Sequence, residues 1–367
     1  MLALVLPSAA NHTDVFANRL NVVERTEGEG PVMRRRAFVG ACLTLVLLAA
    51  VGMSAVASPA TAAARKPKVT TIPVGLGPVR VATNPQTNTV YVTNNSDGTV
   101  SVINGKKNKV VATIPVGVSP VGVATNPQTN TAYAVDSGTR TMSVIDGQTN
   151  TVTATVSLGF HPDEVATNPQ TNTVYVTDTA AQTVSVIDGA TNTVTATIPG
   201  IFNPFGVATN PQTNTVYVTD GSLGTVVVID GATNTVTATI PVGGNPAQVA
   251  TNPQTNTVYV TDAPSGGAGT LWVIDGQTNT VTATVSLANN PFGGVFPVAT
   301  NPQTNTIYVA HTNTDFSGTL SVISGATNTV TATITVGQFP GGIATNPQTN
   351  TVYVANTGSS SVSVVRA

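Results

Sequence analysis

The sequence is short of charge, of cysteine and of catalytic signatures. Charged residues make up 8% of its 367 positions. From residue 65 onward there are nine Lys/Arg and twelve Asp/Glu, a formal net of −3 (9 − 12). So weak and scattered a balance does not predict binding to nucleic acid or to a membrane surface. The one cysteine, Cys42, lies in an N-terminal apolar run. Neither disulfides nor a thiolate zinc site therefore hold the rest of the chain together. No phosphate loop, His-Glu zinc motif or nucleophile elbow occurs, so no cofactor and no metal is expected. Hydrophobic residues still reach 41%, ample for a core, so scarcity of charge does not mean disorder here. Thr, Val, Asn and Gly dominate, which suits strands and tight turns.

What is present above all is repetition. The stretch Ala82-Thr-Asn-Pro-Gln-Thr-Asn-Thr-Val-Tyr-Val-Thr93 occurs seven times, almost letter for letter, the Asn that opens its Asn-Pro-Gln-Thr-Asn-Thr falling at 84, 126, 168, 210, 252, 301 and 346. Four steps are of 42 residues, followed by 49 and 45. A period of this size marks a solenoid, a propeller or an array.

One repeat reads as four strands. Val165–Thr167 is a short apolar strand, and Asn168-Pro-Gln-Thr-Asn172 is a turn. Pro fits the second position of a type I turn, and Asn tolerates the left-handed conformation that closes it. Thr173–Thr177 and Thr183–Ile187 are alternating strands rich in β-formers. Asp188-Gly-Ala-Thr-Asn192 is a second hairpin turn, with Gly189 and Asn192 available for positive φ. Thr193–Ile198 is the fourth strand, ended by Pro199. Four antiparallel strands in about 42 residues is the size of a propeller blade. The seven tyrosines, one per second strand, make the same count.

The ends predict a closed ring. The last repeat stops at its third strand, Val362–Val365, while an orphan fourth strand, Val69–Val74, precedes the first repeat. The expectation is an all-β, seven-bladed β-propeller over residues 65–367. Its N-terminal strand completes the last blade, hiding sheet edges that invite aggregation.

Residues 33–64 read as an address. Met33-Arg-Arg-Arg36 leads into an apolar run from Ala37 to Ala57 and then into Ser58-Pro-Ala-Thr-Ala-Ala-Ala64. That is a basic, apolar and small-residue succession, the pattern of a secretory signal. Arg35-Arg-Ala-Phe-Val39 also resembles a twin-arginine motif, so either export route is open. The 21-residue run is long enough to span a bilayer if it is kept as an anchor. Residues 1–32 show no periodicity and read as an unstructured or mis-called extension. The expected location is outside the cell or in its envelope.

The repeated Thr-Val-Tyr-Val-Thr-Asn/Asp, followed by Val-Ser-Val-Ile-Asp/Asn, resembles the YVTN family of β-propeller repeats over roughly residues 69–365. That resemblance implies an extracytoplasmic seven-bladed propeller used mainly for binding or surface roles. It implies no particular chemistry, because the family is defined by its scaffold.

Function has to be read from differences between repeats. The first-to-second and third-to-fourth turns, nearly identical throughout, share one face of a propeller. The opposite face carries the variable loops and both insertions. There lie Phe160, Phe202, Phe205, Phe292, Phe296, Phe316 and Phe339, with His161 and His311. Aromatics sorted to one face suggest a recognition surface for a glycan, a peptide or a protein. The competing expectation is that these rings fold inward and fill gaps between blades.

Near the channel mouth the aligned residues are Arg80, Gly122, Glu164, Gly206, Gln248, Pro297 and Gly342. Arg80, Glu164 and Gln248 are candidate polar groups there. His161, Asp163 and Glu164 form the best local acid–base cluster. Some seven-bladed propellers similar in outline are lactone-cleaving enzymes or streptogramin lyases. An enzyme of that kind would use His161, Glu164 and Arg80, with His311 a doubtful partner. The Asp residues ending second and third strands invite a calcium reading, but Asp before Gly more simply caps a hairpin. The third reading is a structural surface protein that associates with itself through its repeats.

Overall fold

A computed structural model describes residues 67–262, 267–290 and 296–366. The segments 1–32 and 33–64, and Phe292, lie outside the described residues. Seven antiparallel sheets of four strands each form a ring. Blades 1 to 6 span residues 78–115, 120–157, 162–199, 204–241, 246–290 and 298–336. Blade 7 takes three strands from 340–366 and its fourth from Lys68–Pro73. That strand pairs antiparallel with Ser361–Arg366, from Lys68 opposite Arg366 to Pro73 opposite Ser361. The ring is therefore closed by joining the two ends of the repeat region.

Each core cluster belongs to two adjacent blades. Tyr133 of blade 2 packs with Val165, Val174 and Ile187 of blade 3. Tyr353 of blade 7 packs with Val81, Val90 and Ile103 of blade 1, and with Ile72 of the closing strand. One tyrosine seals each of the seven interfaces. This is why the second strands are buried on both faces, while a fourth strand such as Thr193–Pro199 is exposed except at Ala196 and Ile198.

The Asn-Pro-Gln-Thr-Asn turn does three things. Its first Asn caps the turn: Asn168 Oδ1 accepts the Gln170 N–H at 3.0 Å. Its second Asn takes the left-handed conformation, with φ from 45° to 52° in the seven copies. The first Asn of each blade also donates Nδ2 to the second Asn of the next, at 2.7–2.9 Å, around the whole circle. A second ring lies nearer the axis. Each first-strand Thr hydroxyl donates to the equivalent Thr carbonyl of the preceding blade at 2.6–2.7 Å. The near-identity of the repeats follows, because each copy is both donor and acceptor to its neighbours.

One turn expectation is corrected. Gly189 does not use positive φ; Asn192, at 56°, does. Gly189 is needed for space, since a Cβ there would lie 2.6 Å from Asn172 Oδ1.

The insertions lengthen hairpins on the variable side. In blade 6 the second strand runs Thr306–Thr312 and pairs with Gly318–Ser324. In blade 5 the outer hairpin extends over Gly267–Asp275 and Thr280–Asn290.

Candidate functional site

Near its variable-face end, each described first strand except that of blade 6 shows a register shift against the second strand, as between Pro78 and Val81 or Pro162 and Val165. A bulge re-aims side chains and frees a backbone N–H. In blades 1, 3 and 4 the last Thr of Thr-Val-Tyr-Val-Thr receives that N–H, while blades 2 and 7 bulge with Val135 and Ala355 in its place. Arg80 N donates to Thr93 Oγ1 and Glu164 N to Thr177 Oγ1, both at 3.1 Å. The same hydroxyls donate onward, to Val121 O and Phe205 O of the next blade at 2.9 Å. Thr93 and Thr177 thus fix the bulges that aim Arg80 and Glu164. The recurrence of this Thr is visible in sequence, but its pairing with a bulge is not.

Arg80, Glu164 and Gln248 come from blades 1, 3 and 5 and meet. Arg80 Nε donates to Glu164 Oε1 in an ion pair, and both side chains are 13% exposed. Gln248 Nε2 donates to the same oxygen at 3.2 Å. Arg80 also donates to Gly341 O at 2.5 Å, and its guanidinium lies 5.9 Å from the Phe205 ring centre. Blades 2, 4 and 7 offer glycine at the aligned positions, and there is no room for more. A Cβ at Gly206 would lie 2.4 Å from Ala247 O, and one at Gly122 would lie 2.6 Å from Asp163 O. Large and absent side chains alternate around the axis, and the large ones bond to one another across it.

The bulge also separates the two carboxylates of the sequence cluster. Glu164 joins Arg80 and Gln248, whereas Asp163 turns to His161, its Oδ2 3.2 Å from Nδ1. Thr179 Oγ1 donates to the same Asp163 oxygen at 2.8 Å. His161, Asp163 and Glu164 are therefore two groups. His311 joins neither; it is 5% exposed within the second strand of blade 6 rather than in a loop. Burial lowers its pKa, and a hydrogen bond with Asn313 partly offsets that. Among the described residues no group of three or more metal-ligating side chains occurs.

The aromatics divide. Phe296 is fully buried against Tyr259 and Leu271, its ring 6.2 Å from that of His311. It leaves the expected recognition surface because the blade 5–6 interface needs its volume: a side chain at Gly269 would strike it. Phe205 is half-buried under Arg80. Phe160 and Phe202 are exposed at 67% and 51%. Phe160 carries the Arg140 guanidinium 5.5 Å over its ring. Phe316 and Phe339, both exposed, lie 5.5 Å apart. Both have left-handed backbones, φ 66° and 50°, a costly conformation for a bulky residue.

Aliphatic side chains, which the sequence pattern of aromatics does not mark, share this surface. Leu76, Val118, Phe160 and Phe202 occupy the same position in four successive inter-blade loops, and all are exposed. Leu223 projects from an adjacent hairpin loop of blade 4. Each of the four stands two residues before the Pro that opens the next blade, which makes this pattern readable in sequence once aliphatics are counted. The loops are pinned from below by the last residue of the second strand. Asp178 Oδ1 accepts the His161 N–H at 3.1 Å, and Asp220 Oδ2 the Phe202 N–H at 2.9 Å. These carboxylates cap loops, as the simpler expectation held. Asp136, in blade 2, is fully buried, and desolvation pushes its pKa up to about 6 against the pull of bonds from Ser143, Gly117 and Thr141.

No family model matches the chain, and no curated protein matches it. Among solved structures it is similar to a chain of Kuenenia stuttgartiensis hydrazine synthase, with a TM-score of 0.69 and 19% identity. The match covers 79% of this chain and 96% of that one. At that identity the likeness shows the propeller fold alone.

Proposed function

We propose that this protein is an exported recognition scaffold whose variable face binds a peptide or protein partner. The observation that carries the reading is the sorting of exposed apolar side chains. Thirteen large hydrophobic residues are exposed among the described residues. Seven lie in variable-face loops: Leu76, Val118, Phe160, Phe202, Leu223, Phe316 and Phe339. The other six are valines on outer strands, and the constant-face turns contribute none. Apolar groups held out in water on one face mark an interaction surface.

Their chemistry favours protein over glycan. A sugar ring stacks on a flat aromatic, whereas Leu76, Val118 and Leu223 offer aliphatic surface, and the carboxylates nearest them, Asp97 and Asp220, are engaged by the Leu76 and Leu223 backbone N–H groups. The enzyme alternative has less behind it, because Glu164 is already bonded to Arg80 and Gln248. Self-assembly through the outer strands is opposed by their shape. Each outer strand of blades 1 to 6 carries a bulge, as at Val186/Ile187. Bulges protect edges from pairing.

The test is to screen the purified protein against a displayed random-peptide library and against a glycan array. Enriched peptides sharing apolar anchors, with a blank array, are the expected result. Glycan hits without any enriched peptide would overturn the proposal.

A further inference from the structure

The cations that look scattered in the sequence are gathered by ring closure. The described residues include seven Lys/Arg: Lys68, Arg80, Lys106, Lys107, Lys109, Arg140 and Arg366. Five of them stand together where blade 7 meets blade 1. Lys68 pairs across strands with Arg366. Arg366 reaches the third-to-fourth turn of blade 1, its Nη2 3.4 Å from Gly105 O and 3.5 Å from Asn108 Oδ1. That turn carries Lys106 and Lys107, and Lys109 opens the strand after it. Lys68, Lys106, Lys107, Lys109 and Arg366 are all exposed, and none has an ion-pair partner among the described residues.

The same register position shows how this corner departs from the rest of the constant face. The third strand ends in Asp146, Asp188, Asp230 and Asp275 in blades 2 to 5. Blade 1 has Asn104 there and blade 7 has Arg366. Blade 6 has Ser324 there, so three successive blades of the corner lack the acid, and the first carboxylate beyond it is Asp146 of blade 2. It also lies where the chain enters the propeller. The apolar run ends at Ala57, eleven residues before Lys68, a distance of at most roughly 40 Å for extended chain.

We propose that this corner docks the propeller, constant face first, onto an anionic phospholipid bilayer. The proposal rests on the reading of the protein as exported, with its variable face turned toward partners. Exposed Lys/Arg clusters next to an apolar segment are attracted to anionic headgroups by about 1 kcal/mol per charge. Docking here would leave the apolar loop tips on the opposite face pointing away from the membrane.

The test uses the full chain with vesicles of phosphatidylcholine alone and of phosphatidylcholine mixed with phosphatidylglycerol. A variant grafts the blade 2 turn onto blade 1: Lys106→Gln, Lys107→Thr and Lys109→Thr, residues that already fold at Gln148, Thr149 and Thr151. A second variant, Lys106→Glu with Lys107→Glu, reverses charge at exposed positions. The wild type is expected to prefer anionic vesicles, with a preference that weakens as salt rises. The graft should lower that preference on the order of 100-fold, leaving peptide binding, neutral-vesicle binding and melting unchanged. Retention of the full preference by both variants would overturn the proposal. So would loss of binding to an immobilised soluble polyphosphate with the vesicle preference intact. Concentration-dependent dimers abolished by the graft, without any lipid preference, would instead assign the corner to a second copy. Loss of peptide binding at the variable face would leave the lipid result standing, so the two readings fail separately.

Discussion

Asn346 Nδ2 donates to Asn88 Oδ1 at 2.9 Å, joining two residues 258 positions apart. It is the seventh bond of the amide circle, made by the same turn as the other six. Asn346 is fully buried, and its Oδ1 also accepts the N–H groups of Gln348 and Thr349. Asn346→Ala is expected to cost about 1–3 kcal/mol, the range for orphaning buried hydrogen-bonding groups. Asn210→Ala, at the equivalent place inside the repeat array, should cost the same within a few tenths. Urea denaturation of both variants checks this. A loss confined to Asn346 would mean that the closing joint differs from the others.

Removing residues 65–75 takes away the fourth strand of blade 7. It also uncovers a core made by Ile72, Val362 and Val364. The truncated protein is expected to melt in a broader transition and at lower denaturant than the intact chain. A truncation that melted with the same midpoint and slope would refute closure by this strand.

Glu164 is the acceptor that holds Arg80 and Gln248 together. Glu164→Ala should cost about 1–3 kcal/mol, because a guanidinium only 13% exposed loses its carboxylate and keeps the Gly341 carbonyl. Arg80→Ala combined with Glu164→Ala should cost less than the sum of the singles, with a coupling of about 1–2 kcal/mol. Additive losses would show that the pair is incidental.

Asp136 gives stability a pH dependence of known sign. Its folded pKa of about 6 lies above the ordinary 3.8, so the folded state holds the proton longer than the unfolded state. Stability is therefore highest below about pH 4 for this group and falls as pH rises toward 6. Asp136→Asn should remove that fall and raise stability at neutral pH, by up to about 3 kcal/mol. Blades 1 and 7 already carry Asn there, with Asn94 Nδ2 donating to Ser101 at 2.9 Å. His311 pulls the other way: kept neutral by burial, it weakens the fold as pH drops below its ordinary 6.5. Denaturant midpoints across pH 4–7 separate the two. An unchanged slope in Asp136→Asn would contradict the assignment.

How far the sequence carried depended on whether a feature repeats. Strand order and hairpin turns recur seven times, ring closure follows from the two incomplete ends of the repeat array, and the structure has them all, with first strands a few residues longer than Val165–Thr167 indicates. The blade-to-blade bond was hidden in the same motif. An Asn that caps its own turn looks identical whether or not it also donates to the next blade. The site was less legible because it depends on bulges and on distant contacts. Neighbouring letters made Asp163 and Glu164 one cluster, and a bulge sent one to His161 and the other to Arg80. Phe296 sits in a unique insertion, so no sister repeat could show that its ring turns inward. Lys68 and Arg366 stand at opposite ends of the repeat region, and only closure makes them neighbours.

The central claim is that recognition belongs to the variable loops. The most direct measurement is the equilibrium affinity of an enriched peptide for the wild type, for Phe160→Ser with Phe202→Ser, and for a control with Thr149→Ala and Thr191→Ala on the constant face. The account predicts a loss on the order of 10–100-fold for the phenylalanine pair, as for removed interface anchors, and none for the threonine pair. Equal affinities for wild type and the phenylalanine variant, or a loss confined to the threonine variant, would contradict it.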